Sequence, residues 1–297
     1  MAVFGVMVSA VVLVLLVGFG GYVDYFYVKF TSGPQRSLIL GDSRAFQGIR
    51  PDLLDAETGR KFEGNTYNYA FTMGQAAYGD AYLESVRRKL DLDTKNGLFI
   101  LTVQPWILSE RTSDDVQNGK FFESDLPPHN MRFPNMNPNL EYFFRNQDFF
   151  HFKAVFRKVT RTHENGWLEE RHVKKSKDEQ TRLLEVSISQ YEGFAQKWKP
   201  SDYRMKKLAE TVRFLKNHGK VVLVRMPVSR DIVDVERSYW KDFDSEISGI
   251  AKSLDASYLD YSGRADDFVT YDGIHLDKEN IDKFSTILGT DIMQESP

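Results

Sequence analysis

The chain has 297 residues, a formal net charge of −3, 41% hydrophobic and 13% aromatic residues, and no cysteine. This composition excludes a disordered chain and leaves room for one large domain or two small ones, while the missing basic footprint argues against a nucleic-acid partner. Without cysteine there is no disulfide, thiolate zinc site or cysteine nucleophile, and the six histidines lack HxxxH or HxH spacing, so no metal site or other cofactor is expected.

Residues 2–23 carry no charged side chain and are mostly Val, Leu, Phe, Met and Gly. A hydrocarbon core of about 30 Å is spanned by roughly 20 apolar residues as a helix. No Lys or Arg precedes the run, and it is longer than the apolar core of a cleavable leader, so it reads as an uncleaved single-pass transmembrane helix. Residues 24–34 then read as a linker. Lys29 and Arg36, counted by the positive-inside rule, point to a cytoplasmic domain beyond it.

From residue 35 to about 290 the pattern is that of one domain. Ser37–Leu40 reads as a short buried strand, Asp52–Arg60 as a helix and turn, and Asn65–Phe71, with Tyr67, Tyr69 and Phe71 alternating, as a strand. Asp80–Leu90 has helical spacing at Tyr82, Val86 and Leu90, and Leu98–Val103 is a continuous apolar strand. Between about 107 and 200 the alternation stops. This stretch holds four prolines between Pro127 and Pro138, the aromatics Tyr142, Phe143, Phe144, Phe149 and Phe150, and a charged run around Arg171–Arg182. It reads as a large insertion packed beside or over a site. Afterwards come an amphipathic helix at Tyr203–His218 ending on Gly219, a strand at Val221–Val224, a helix over Asp234–Leu254, a strand at Ser257–Asp260 and a closing helix capped by Asp277. Strands alternating with helices predict an α/β three-layer sandwich around a central parallel sheet.

Two strings carry the chemistry. Leu38-Ile39-Leu40-Gly41-Asp42-Ser43 ends a strand in a tight turn, and Asp272-Gly273-Ile274-His275 lies near the other end of the chain. A serine hydroxyl needs a base to take its proton, and the base needs a carboxylate to set its tautomer. Ser43, His275 and Asp272 supply those three groups, and a turn at the C-terminal edge of a parallel sheet is where ligands bind. Taken singly, Ser43 reads equally as a turn or N-cap serine, and His275 as a surface side chain; their joint placement favours the catalytic reading.

The two blocks resemble those of the SGNH/GDSL hydrolase superfamily, whose nucleophile lies in an N-terminal Gly-Asp-Ser and whose His and Asp lie in a C-terminal DxxH. The resemblance covers roughly residues 35–106 and 200–290 and not the insertion. It implies a flavodoxin-like fold and an oxyanion hole made by the Ser43 amide, a glycine amide and an Asn side chain. Gly74, after the second strand, is the candidate glycine. The family's Gly-x-Asn-Asp block is absent; Gln104-Pro105-Trp106 stands in its place, and Gln104 is the candidate side-chain donor. A strand ending in Pro and Gln near a Trp loosely resembles the membrane-anchored SGNH-like proteins of teichoic acid D-alanylation and alginate O-acetylation, which implies an extracytoplasmic domain, against the charge count.

Arg44 and Arg225, at sheet-edge positions, are candidates for contacting an anionic or sugar substrate; for Arg44 an ion pair with an acid such as Asp52 is the competing reading. The expectation is a membrane-anchored serine esterase or O-acyltransferase acting on acylated cell-envelope or exopolysaccharide carbohydrate, with a membrane-bound O-acyltransferase as a possible partner. The alternatives are a non-catalytic polysaccharide- or partner-binding module and a lipase or phospholipase.

Overall fold

The computed structural model describes residues 4–11, 14, 24–146, 160–170 and 176–295. Most of the expected 2–23 anchor, together with Phe149, Phe150 and residues 171–175, lies outside them. Among the described residues no helix is long and apolar enough to cross a membrane.

Five parallel strands make the central sheet: β1 (Ser37–Leu40), β2 (Thr66–Asn68), β3 (Gly97–Thr102), β4 (Gly219–Arg225) and β5 (Ser257–Asp260), in the spatial order β2-β1-β3-β4-β5. This is the flavodoxin-like strand order, and it fits the expected SGNH-like architecture. β1, β2 and β3 are buried along their whole length, as strands covered on both faces must be, which explains the apolar runs Leu38–Leu40 of β1 and Leu98–Leu101 of β3.

Eight helices complete the layers used below: α1 (Ser43–Gly48), α2 (Pro51–Glu57), α3 (Asp80–Lys89), α4 (Lys177–Ala195), α5 (Asp202–Lys216), α6 (Arg230–Tyr239), α7 (Phe243–Ser253) and α8 (Lys278–Gln294). On one face Leu38, Leu40, Phe99, Leu101, Val221 and Leu223 pack against Tyr82 and Val86 of α3, Leu208, Val212 and Leu215 of α5, and Ile247 of α7. On the other, Ile39, Leu98, Ile100, Val222 and Val224 meet Phe46 of α1, Leu54 of α2 and Ile281, Phe284 and Leu288 of α8. The period-two alternation of the strands thus feeds two helix layers. Local signals set several ends: Asp277 accepts the Asn280 N–H at 2.9 Å to open α8, and Ser201 and Ser229 open α5 and α6 in the same way.

Three expectations need correcting. The helix predicted over Asp234–Leu254 is two helices, α6 and α7, divided at Trp240, whose backbone leaves the helical region while its ring packs edge-on against Phe243 at 5.3 Å. Residues 24–34 are not a free linker. Tyr27–Thr31 is a helix whose Tyr27 and Phe30 are buried in the core. Nor are Lys29 and Arg36 loose flanking charges: Lys29 is buried, with Nζ donating to the Asn68 and Gly166 carbonyls, and Arg36 pairs with Glu63 and Asp91. Lys29 is thus enclosed within the domain, whereas Arg36 forms its two ion pairs on the domain surface.

The insertion is closed at its base by an antiparallel pairing of Ser109–Glu110 with Lys199–Pro200. A hairpin, Thr160–Thr162 with Leu168–Glu170, sits beside β2, where the Asn68 N–H donates to the Asn165 carbonyl at 2.8 Å. This covers an otherwise open sheet edge. Helix α4, unrecognised in the sequence because its charged N-terminal turns hide the later apolar stripe, packs Leu184, Ile188 and Tyr191 toward α6.

Lys89, at the end of α3, is buried, with Nζ donating to the carbonyls of Lys29 (2.8 Å), Ser32 (2.7 Å) and Pro134 (3.2 Å). Burial pushes its ammonium down to about 7. An unfolded lysine holds its proton to about 10.4. Between those values the unfolded chain binds the extra proton, so the Lys89 contribution makes stability rise with pH across that window and is least favourable below it. Thermal unfolding from about pH 6.5 to about pH 9.5 should show this rise, and Lys89→Met should reduce it, leaving the part that buried Lys29, also pushed down by burial, contributes with the same sign; equal slopes in the two proteins would refute the assignment.

Candidate active site

β1 ends at Leu40, and the chain turns sharply into α1. Gly41 makes the turn possible: its φ is +134°, and a Cβ there would lie 1.7 Å from Oγ1 of Thr102 on the neighbouring strand. Asp42 caps α1, its Oδ1 accepting the Arg44 N–H at 3.1 Å. Ser43 is the first helical residue, half-buried at the C-terminal edge of the sheet, at the N-terminus of α1.

The loop before α8 brings the second block to the same edge. The Asp272 Oδ1 accepts the N–H groups of Ile274 (3.0 Å) and His275 (2.8 Å), a tight local turn. Gly273 in that turn has φ +90°, and a Cβ on it would meet Leu184 of α4 at 2.5 Å. Its carbonyl accepts the Ser229 N–H at 2.8 Å, which ties the loop to the start of α6.

These backbones place His275 Nε2 2.9 Å from Ser43 Oγ, and His275 Nδ1 2.7 Å from Asp272 Oδ2. The structure thus brings together three side chains that are 232 and 3 residues apart in pairs. Asp272 and His275 side chains are each 14% exposed, open enough for a substrate and enclosed enough for strong electrostatics. Burial disfavours the Asp272 charge, but the His275 imidazole beside it and the two backbone N–H groups outweigh burial and hold its carboxyl below the usual range. Tyr271, not singled out from the sequence, stacks on His275 with centroids 5.7 Å apart and donates its hydroxyl to Gln47 at 3.1 Å, limiting the ring's freedom. With Nδ1–H directed at the carboxylate, Nε2 is left to accept the Ser43 proton, the arrangement needed for acyl transfer.

The oxyanion candidates fare differently. The Ser43 amide lies at the N-terminus of α1, where peptide N–H groups converge on an anion. Gly74 lies in the Thr72–Gln75 turn. That turn follows Phe71, whose N–H donates to the Gly41 carbonyl at 2.9 Å, so it stands on the same edge of the sheet as Ser43. Arg111 and Phe122 of the insertion lie beside this turn: Arg111 donates to the Met73 carbonyl at 2.9 Å, and its guanidinium sits 4.3 Å from the Phe122 ring centre.

Gln104 is 1% exposed, with Nε2 donating to Asp42 Oδ2 at 2.6 Å and Oε1 accepting the Trp106 N–H at 3.1 Å. Both ends of its amide are engaged beside the Ser43 turn, so it acts as a strut for Asp42 rather than a free oxyanion donor. Burial raises the Asp42 carboxyl pKa, opposed by Arg44 and the Gln104 hydrogen bond. Gln104→Leu should therefore loosen the Ser43 turn, lowering kcat by about 10-fold to 100-fold with KM little changed. A loss of about 1,000-fold, as for deleting a direct oxyanion donor, would contradict the strut role.

Arg44 and Arg225 do not face a substrate. They are 2% and 1% exposed and share the buried carboxylate of Glu236 on α6: Arg44 Nη2 to Oε1 at 2.7 Å, Arg225 Nη2 to Oε2 at 3.1 Å. Trp106 Nε1 adds a third donor to Oε1 at 3.0 Å, and Arg225 also pairs with Asp244. Asp52, the partner weighed for Arg44, pairs instead with Arg50. Sequence reasoning missed Glu236. The available signal was a carboxylate at helical spacing from Ile232 and Val233, on the stripe α6 buries. Among the described residues no cluster of His, Asp and Glu is arranged to hold a metal ion.

No family model and no curated protein matches the chain. Among solved structures, it is similar to an inhibitor-bound aryl esterase of M. smegmatis, at 11% identity and TM-score 0.40, over 88% of this chain and 99% of that one. It is also similar to a GDSL-like lipase of Parabacteroides merdae, at 10% identity and TM-score 0.37, over 88% and 98%. At these identities the case for function rests on the chain's own residues.

Proposed function

We propose that this protein is a serine ester hydrolase or O-acyltransferase that works through an acyl-Ser43 intermediate. The carrying observation is the unbroken relay from Ser43 Oγ through His275 to Asp272, at 2.9 and 2.7 Å, on the sheet edge where ligands bind. Ser43 attacks the ester carbonyl while His275 Nε2 takes its proton. The imidazolium, stabilised by Asp272, then returns the proton to the departing alkoxide, and the acyl group stays on Ser43. Water or a sugar hydroxyl, deprotonated by the same His275, releases it. The Ser43 amide and the Gly74 turn are the oxyanion donors in this reading.

The substrate assigned is an acyl ester of envelope or exopolysaccharide carbohydrate, reached by a domain held at the membrane by residues 2–23. The support is the uncharged apolar stretch and the Gln-Pro-Trp resemblance at 104–106. The decisive experiment incubates the full chain with a fluorophosphonate probe, then with acetylated sugars and with long-chain acyl esters, in the presence of an unacylated glycan. Labelling at Ser43 with turnover of acetyl esters supports the proposal, and an acyl group appearing on the glycan makes it a transferase. Preference for long acyl chains would move the assignment to a lipase. Folded protein that neither labels nor turns over any ester would refute catalysis and leave the binding-module reading.

A further inference from the structure

We infer that the face formed by Phe133, Met136, Leu140 and Phe144 docks into the lipid surface of the membrane beside the N-terminal segment, an inference that rests on the membrane-anchor reading above. Phe144 is 80% exposed, Phe133 56%, Leu140 53% and Met136 43%. A single exposed apolar side chain is ordinary, but four large ones together mark a binding surface. Leu140 and Phe144 are four apart on the helix Leu140–Asn146 and so share a face. Glu141 accepts the Phe133 N–H at 2.8 Å and Asn139 donates to the Phe133 carbonyl at 2.6 Å, which pins Phe133 beside that helix, with Met136 on the loop between.

What covers this face follows from where it is fastened. The helix buries Tyr142, whose ring stacks on Phe30 at 5.0 Å and meets Tyr27 edge-on at 5.7 Å. The Tyr142 hydroxyl donates to Asp24 Oδ1 at 2.7 Å. Asp24 directly follows the uncharged run 2–23, and its carboxylate also accepts the Phe26 N–H at 2.7 Å to start the Tyr27–Thr31 helix. The apolar face is therefore locked to the residue at which the apolar segment joins the domain. Once that segment enters a bilayer, the four side chains lie within reach of the interface, where aromatic and aliphatic groups settle about 5–10 Å into the headgroup region.

The chain has no native cysteine, so single probes are unambiguous. Full-length Phe133→Cys, Phe144→Cys, Val11→Cys and Lys252→Cys, the last on the distant helix α7, would carry an environment-sensitive fluorophore and be reconstituted into phosphatidylcholine vesicles with brominated chains. The expected result is loss of fluorescence at 133, 144 and 11 but not at 252, with 133 and 144 shielded from aqueous iodide. Quenching at 11 alone, with 133 and 144 open to iodide, would overturn the docking face and leave the anchor standing. No lipid quenching at 11 would overturn the anchor and the docking face with it. Shielding of 133 and 144 from both quenchers would show that a second copy or another protein surface covers the patch, and would equally overturn the lipid assignment.

Discussion

Ser43→Ala, His275→Ala and the double variant should each lose about 10,000-fold or more in kcat on a turned-over ester, and the double variant should be scarcely worse than either single one. The reason is that Ser43 Oγ and His275 Nε2, 2.9 Å apart, act as one device: a hydroxyl without its base and a base without its hydroxyl are equally idle. Asp272→Asn should be milder but still severe, about 1,000-fold to 10,000-fold, because the amide disfavours the Nδ1–H tautomer that leaves Nε2 free. Fluorophosphonate labelling should vanish with Ser43→Ala. Circular dichroism should confirm folding in each case, as neither Ser43 nor His275 belongs to the apolar core. Turnover that survived Ser43→Ala would remove the nucleophile from the proposal, and additive losses would remove the coupling.

Glu236→Ala should be among the most destabilising single changes in the protein. One fully buried carboxylate balances two buried guanidiniums and accepts the Trp106 N–H. Removing it leaves both cations without their shared counter-charge inside the fold, which costs about 3–5 kcal/mol. For a chain of 297 residues that is a fall in Tm of about 5–8 °C. Replacing the carboxylate and both guanidiniums together by apolar side chains should restore much of the loss, since the desolvation penalty disappears with the charges. Differential scanning calorimetry of Glu236→Ala, and of Arg44→Met/Glu236→Leu/Arg225→Met, measures both. An unchanged Tm in Glu236→Ala would show that the cluster contributes nothing. Activity should fall too, because Arg44 follows Ser43 directly and its ion pair joins the nucleophile's helix to α6, on whose N-terminal cap the His275 loop is hung.

Much of the sheet was legible because buried parallel strands are short unbroken apolar runs. Ser37–Leu40, Leu98–Val103 and Val221–Val224 could be read at sight, the half-buried edge strand Ser257–Asp260 by its place between two helices, and the helices announced themselves by spacing and by caps such as Asp277. The α6–α7 boundary was not legible, because neither Gly nor Pro marks it and Trp240 breaks the helix through packing against Phe243. Helix α4 was hidden for a related reason: its apolar residues acquire meaning only through the surface of α6 they cover.

By itself, then, the sequence determined the layered α/β architecture and singled out Ser43, Asp272 and His275, which the fold brings into hydrogen-bond contact, because strand periodicity and the chemistry of a turn are local properties. Only the tertiary structure decided what the long polar side chains do. Gln104 turns to Asp42, Arg44 and Arg225 turn inward to Glu236, and Lys29 and Lys89 end on backbone carbonyls. A flexible side chain carrying a charge or an amide reaches partners far away in sequence. Which partner it takes is settled by burial, where an unpaired polar group costs far more than it does in water.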